Sequence, residues 1–301
     1  MAVATPSLDA AVSVRPKTPL WRRLLRPFGY LSLPTILLLL LFVGPMLILA
    51  FIAFGFGFAS EDGGFTTSNF TAIFDDPLYG HVALTTLEIA TIAMLVQLVI
   101  AVPLAYVMAF KAGRFEIPLL LALVLADELN PMVRIYSWRM LLGREGIINS
   151  ALESLGLISH PIDALLFNKF AVILVLSTSY ITYTAIPIYA SMKAIDGRLF
   201  EAALDMGASW FTIIRKILLP LIAPGVFVAL LLVYIPLFTE FATPTLVGGS
   251  SGYMLGSAVQ DLILQDGDLG GGAALSLMLL VGSGIFAAIA YRLSRISRLE
   301  T

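Results

Sequence analysis

The residues with the most chemical potential sit where charge is least expected. Asp127, Glu128 and Asn130 interrupt a long apolar run and are followed at once by Pro131. A carboxylate at membrane depth costs about 2.5–3.5 kcal/mol on insertion scales, so such a group faces a cavity or a partner. Asn130 and Pro131 also break a helix, freeing backbone carbonyls that need a polar cavity or a donor. Two readings are open. The cluster lines a path that favours cations, or it lies at the outer interface, solvated or paired with Arg134 or Arg139. Tyr136 follows in the same stretch and Glu240 stands late in another apolar run; both are candidates for the path. Glu240 also has a structural or gating reading. Glu88, early in a third apolar run, either lines the cavity or sits near the outer interface.

Catalytic chemistry is not written in this pattern. G-x-S-x-G, H-E-x-x-H and the phosphate-cradling G-x-x-x-x-G-K-[ST] are all missing. There is no cysteine, and the two histidines, His81 and His160, are far apart in sequence. Neither thiol chemistry nor a histidine metal site is expected. Gly248-Gly249 and Gly270 to Gly272 read as loops or tight helix entries, not as phosphate sites.

The elements that must carry these residues are membrane helices. The chain is 59% hydrophobic and 13% charged, with a mean hydropathy of +0.94, whereas soluble domains are near 45–50% and 25%. An all-α integral membrane protein is expected, one polytopic domain with the bilayer around it and no nucleic-acid partner. A basic tail, 1–29, precedes the first span, with a short surface helix over Trp21 to Leu25. The six spans fall within residues 30–293, near 30–58, 82–110, 117–142, 170–194, 220–244 and a last one ending by Tyr291; 294–301 is a second tail. Gly146 to Leu157 reads as a short amphipathic helix outside the membrane. Fourteen of the 18 Lys and Arg residues fall in the 1–29 tail, the 111–114 connector, the 193–216 region and the C-terminal stretch from Arg292, and the loops 59–81 and 245–271 have none. Basic loops stay inside, so six spans with both termini cytoplasmic satisfy the asymmetry.

Between the fourth and fifth spans lies the most polar interior stretch, 196–217. Glu201, Ala202, Ala203 and Asp205 belong to a short helix. Gly207 is suited to the left-handed turn that ends it. After Ala208, Ser209 stands where the N-cap of a second short helix belongs. Pro220 then marks the start of a new membrane-entering helix.

This stretch resembles the EAA signature of bacterial ABC-importer permeases: Glu201-Ala202-Ala203, three residues, Gly207, nine residues, then Ile217-x-Leu219-Pro220. Pro103-Leu104-Ala105-Tyr106 resembles a second-span motif of the same permeases, though Ala101 stands where a Gly is often found. Arg134-Ile135-Tyr136-Ser137-Trp138, Leu141 to Asn149, and Glu240 to Gly249 resemble a subfamily importing polyamines, opines and related amino compounds. The resemblance covers about residues 30–298. It implies the type I ABC importer permease fold in a bacterial inner membrane. It also implies two cytoplasmic ATPase subunits, a second permease subunit (a paralogue or a second copy) and an extracytoplasmic solute-binding protein. Glu201, Ala202, Ala203, Asp205, Gly207, Ala208 and Ser209 would form the ATPase-coupling loop. The chain itself would bind no cofactor, with ATP and Mg held by the ATPase subunits. Two other classes stay in view. A secondary transporter tends to show repeated halves with broken helices, and no repeat relates 30–142 to 170–293. An intramembrane enzyme would need motifs that are missing.

Overall fold

A computed structural model describes residues 34–56, 64–128 and 130–297. The 1–29 tail with its expected surface helix, the loop residues Glu61 and Asp62, and the end of the chain from Arg298 lie outside the described residues. Contacts divide the chain into two units, 1–49 and 50–301. Of the first, residues 34–49 are described and are helical.

Inside a bilayer no water satisfies the peptide groups, so a chain this apolar folds as helices. No strand occurs among the described residues. Helix α1 is Pro34–Ala53. A short α2, Ser68–Asp75, leads to α3, Pro77–Lys111. Two short helices follow, α4 (Glu116–Asp127) and α5 (Pro131–Leu142). After α6, Ile147–Ser154, come α7 (Lys169–Ser179) and α8 (Ile181–Lys193), bent by 46° at Tyr180. The short α9, Arg198–Asp205, precedes α10, Trp210–Phe238. A π-helical turn, Pro244–Gly248, is followed by α11 (Leu255–Leu264) and α12 (Leu269–Ser297).

Three differences from the expected boundaries have physical causes. Helix α3 begins at Pro77, five residues before Val82, because Asp76 caps it by accepting from the Leu78 amide at 2.8 Å and proline suits the first helical position. The 59–81 loop accordingly contains α2. Pro220 stands, as expected, in the first turn of the regular α-helical segment Leu219–Phe238, but that segment is continuous with the helix from Trp210. Residues Ile214–Leu218 form a π-helical turn just before the proline. Such a bulge is where a helix absorbs a missing donor without breaking. The expected fourth span is two helices, with the break at Tyr180, whose φ is −127° and ψ 27°.

The centre is built from α3, α7, α8 and α10, with α8 packed on both α3 and α10. Small residues permit this approach, as is usual between membrane helices: Ala93, Ala101 and Ala105 on α3, Ala185 on α8 and Ala229 on α10 are fully buried. Gly225 on α10 packs so closely on α8 that no side chain fits. A Cβ placed there would sit 2.5 Å from the Pro187 carbonyl oxygen and 2.4 Å from Ser191 Oγ. The carbonyl is backbone and cannot turn away. Gly225→Val is therefore expected to cost about 1–3 kcal/mol through overpacking. This is checked as a lowered thermal midpoint in detergent beside a Gly282→Val control, whose Cβ meets nothing within 4 Å.

Candidate functional site

Two helix breaks meet, and a polar cavity lies between them. Where α4 ends and α7 ends, the last carbonyls of each helix have no partner within the helix. The donors come from elsewhere. Gln97, fully buried in α3, donates from Nε2 to the Leu176 carbonyl at 2.8 Å and accepts from Thr184 Oγ1 at 2.8 Å. Arg134, in the first turn of α5, donates from Nη1 to the Ser179 carbonyl at 2.6 Å. Its Nη2 donates to the carbonyls of Ala126 and Asp127 at 3.3 and 3.1 Å, and to Asp127 Oδ1 at 3.0 Å. Trp138 Nε1 donates to Thr178 Oγ1 at 3.1 Å, and Thr182 Oγ1 to the Leu123 carbonyl at 2.9 Å. The two broken segments are thereby stitched together by side chains.

The cavity holds about 180 Å³ and is lined by Asp127, Arg134, Tyr180, Tyr183 and Glu240, with Ser179 and Thr243 among its other walls. The Asp127 and Arg134 side chains are 11% and 16% exposed. Asp127 Oδ2 is buried and makes no hydrogen bond. Both oxygens of Glu240 are engaged. Tyr180 Oη donates to Oε2 at 3.0 Å, and Oε1 accepts from the amides of Ala242 and Thr243 at 3.1 and 3.2 Å. Glu240 thus caps the turn that follows it, and Asp127 is the carboxylate with one oxygen bare.

The expected path residues separate. Asp127 and Glu240 reach the cavity. Glu128 is exposed and outside its lining, and so is Tyr136. Asn130 caps α5 by accepting from the Met132 amide at 2.9 Å. Of the two partners weighed for Asp127, Arg134 is the one that pairs. Glu88 is held by Lys169 at 2.7 Å, at the start of α7. Gln97 escaped the sequence reading, although a lone amide inside a long apolar run is the kind of residue that must have a partner.

The second candidate surface is the 198–213 loop. Phe200 and Ala203 of α9 are buried, three residues apart on one face, and Phe200 meets Phe110 edge to face at 5.4 Å. Glu201, Ala202 and Asp205 are exposed. The end of α9 is a Schellman turn: the Ala208 amide donates to the Ala203 carbonyl at 3.0 Å and the Gly207 amide to the Leu204 carbonyl at 2.8 Å. Gly207 has φ +82°, a conformation other residues reach at a cost of about 1–2 kcal/mol. Ser209 caps α10 by accepting from the Thr212 amide at 3.3 Å. Around the turn, Met206 and Phe211 are 83% and 70% exposed. An apolar knob of this kind, beside exposed carboxylates, suits insertion into another protein's groove.

A Cβ on Gly207 would meet nothing within this chain. Its substitution therefore acts through the backbone and through whatever docks there. Gly207→Asn, which tolerates the left-handed turn, should keep more transport than Gly207→Val, with equal amounts of protein in the membrane. Uptake by vesicles carrying each variant decides it; equal uptake would show that the turn geometry is unimportant.

Known proteins resemble this chain along most of its length. Residues 15–298 match the family described as binding-protein-dependent transport system inner membrane component. The spermidine/putrescine transport system permease protein PotB of Escherichia coli is 34% identical over 232 residues, 77% of this chain and 84% of that protein. PotB of Haemophilus influenzae is 32% identical over 231 residues, 77% and 80% of the two chains. Among solved structures, a bacterial ABC transporter importing the acidic polysaccharide alginate superposes with a TM-score of 0.72 at 20% identity, over 92% of this chain and 98% of that one.

Proposed function

We infer the function from membership of a family: this chain belongs to the inner membrane components of binding-protein-dependent transport systems, and is a permease subunit of an ABC importer. We propose that it carries an amine-bearing solute of the polyamine type, the ligand class named for its PotB relatives. One observation supports the charge of that solute most directly. Asp127 offers a buried, unpartnered oxygen to a polar cavity at the meeting of two broken helices. An ammonium group there gains charge-assisted hydrogen bonds, stronger than neutral ones.

The wider assembly follows the same reading. Six spans are α1, α3, the α4–α5 pair, the α7–α8 pair, α10 and α12, with both termini cytoplasmic. The 198–213 loop docks on an ATPase subunit, and Met206 and Phe211 are the apolar residues that enter its groove. Two such ATPases bind ATP and Mg, and this chain binds no cofactor of its own. A second permease subunit completes the pathway, and an extracytoplasmic binding protein delivers the solute.

Orientation is tested by thiol labelling, since the chain has no cysteine. A membrane-impermeant reagent applied outside should modify Ser250→Cys and spare Arg198→Cys until the membrane is opened. Modification at 198 from outside would overturn the topology and the ATPase contact together.

The ligand class is tested by putrescine uptake into proteoliposomes holding the assembled transporter. Asp127→Asn should lower uptake about five-fold, the difference of about 1 kcal/mol between a charged and a neutral acceptor. Glu128→Gln, outside the cavity, should change it less. Unchanged uptake in Asp127→Asn would remove the cation-binding role and leave the permease assignment intact.

A further inference from the structure

Arg134 holds two things at once. Its Nη1 ties down the Ser179 carbonyl at the end of α7, and its Nη2 ties down Asp127 and the carbonyls that end α4. That second nitrogen has two hydrogens for three acceptors, so its bonds are shared. The guanidinium is planar and rigid, and it cannot follow Asp127 without leaving Ser179. The other clamps that tie the bend to elements outside its own two helices use neutral donors: Gln97 on the Leu176 carbonyl, Trp138 on the Thr178 hydroxyl, and the Thr182 and Tyr180 hydroxyls on the Leu123 carbonyl and Glu240. Gln97 is neutral and fully buried among α3, α7 and α8. The bend therefore carries several pins with neutral donors and one with a charged donor, Arg134 on the Ser179 carbonyl.

We propose that Arg134 is a positioning residue that stands in for the substrate's cation, and that an ammonium group binding Asp127 displaces it and unlocks the α7–α8 bend. The arriving charge competes for Asp127 and repels the guanidinium, a strong effect in a site screened from bulk water. The groups facing the pair are the Glu240 carboxylate, whose Oε2 takes one hydrogen bond, from Tyr180, and has room for another donor, and the Tyr180 and Tyr183 rings. The freed guanidinium can turn toward Glu240 across the cavity, which keeps it from being stranded. A solute without a positive charge has no differential affinity for the two states and shifts nothing. Arg134 thereby makes the bend a sensor of ligand charge as well as a fold element.

The release by ligand rests on the amine-importer reading, whereas the lock itself does not, and one experiment separates the two. Spin labels at Phe170→Cys and Ala190→Cys, both at exposed positions, span the bend in a chain with no other cysteine. Measurements use the complete transporter in lipid, with and without putrescine. Two arms of about 15 Å each, at 1.5 Å per residue, separate by about 2 Å more when a 46° bend straightens. Putrescine should broaden the distance distribution and lengthen it by that amount, and an anion of similar size should not. Arg134→Gln should show the released distribution with no amine present, and Arg134→Lys an intermediate one. A narrow, native distribution in amine-free Arg134→Gln would overturn the lock. If Arg134→Gln does not assemble, Asp127→Asn serves: a putrescine response that persists there overturns the proposal. A native transporter that takes up no putrescine, with Arg134→Gln already released, would instead count against the amine reading alone.

Discussion

A peptide group in a bilayer must find a partner in the protein, and everything around the cavity follows from that constraint. Breaking two helices in one neighbourhood exposes several carbonyls, each costing kilocalories if left bare. The chain answers with Gln97, Arg134 and Thr182, three side chains that donate to carbonyls of other elements. The polar residues are thus required by the breaks, and the breaks in turn create the room for a polar cavity. Had α7 and α8 been one straight helix, Arg134 would have lost the carbonyl it holds at Ser179, and Asp127 would have been left to pair a guanidinium anchored at one end only.

This mutual dependence also decides what could be read from the residues alone. The break after Asp127 was legible, because Asn130 and Pro131 announce it locally. The break at Tyr180 was not. Phe170 to Ala194 reads as one span, and its Pro187 lies past the bend, inside α8. The local mark is slight, Ser177, Thr178 and Ser179 bonding back to carbonyls of their own helix, and the supports that hold the bend, Gln97 and Arg134, are distant in sequence. The same distance hides the cavity: Asp127 and Glu240 are 113 positions apart, and only the fold shows that both oxygens of Glu240 are engaged while one of Asp127 is bare. By contrast, the turn at Gly207 and the cap at Ser209 follow from neighbours within a few residues, and a short polar stretch announces them. Pro220 marks the start of the regular segment as read, but the helix also continues back through a π-helical turn, which consists of ordinary helix-forming residues and gives no warning of it.

The two surfaces differ in how they are held. The cavity is fixed by hydrogen bonds to backbone groups, which set positions to a few tenths of an ångström and tolerate little change. The 198–213 loop is fixed by apolar packing on one side, through Phe200 and Ala203, and by a Schellman turn at its tip. The other side of the loop leaves Met206 and Phe211 to solvent. A flexible, polarisable methionine at such a tip adapts to a partner's groove without a rigid fit.

The continuity of α10 has a mechanical meaning. Its 29 residues run without a break from the loop to Phe238, two residues short of Glu240 at the cavity wall. At 1.5 Å per residue this is a rod of about 43 Å. A tilt of about 5° at its lower end would sweep the upper end through roughly 4 Å, more than the width of a water molecule. Small displacements applied at the loop would therefore arrive at the cavity wall magnified.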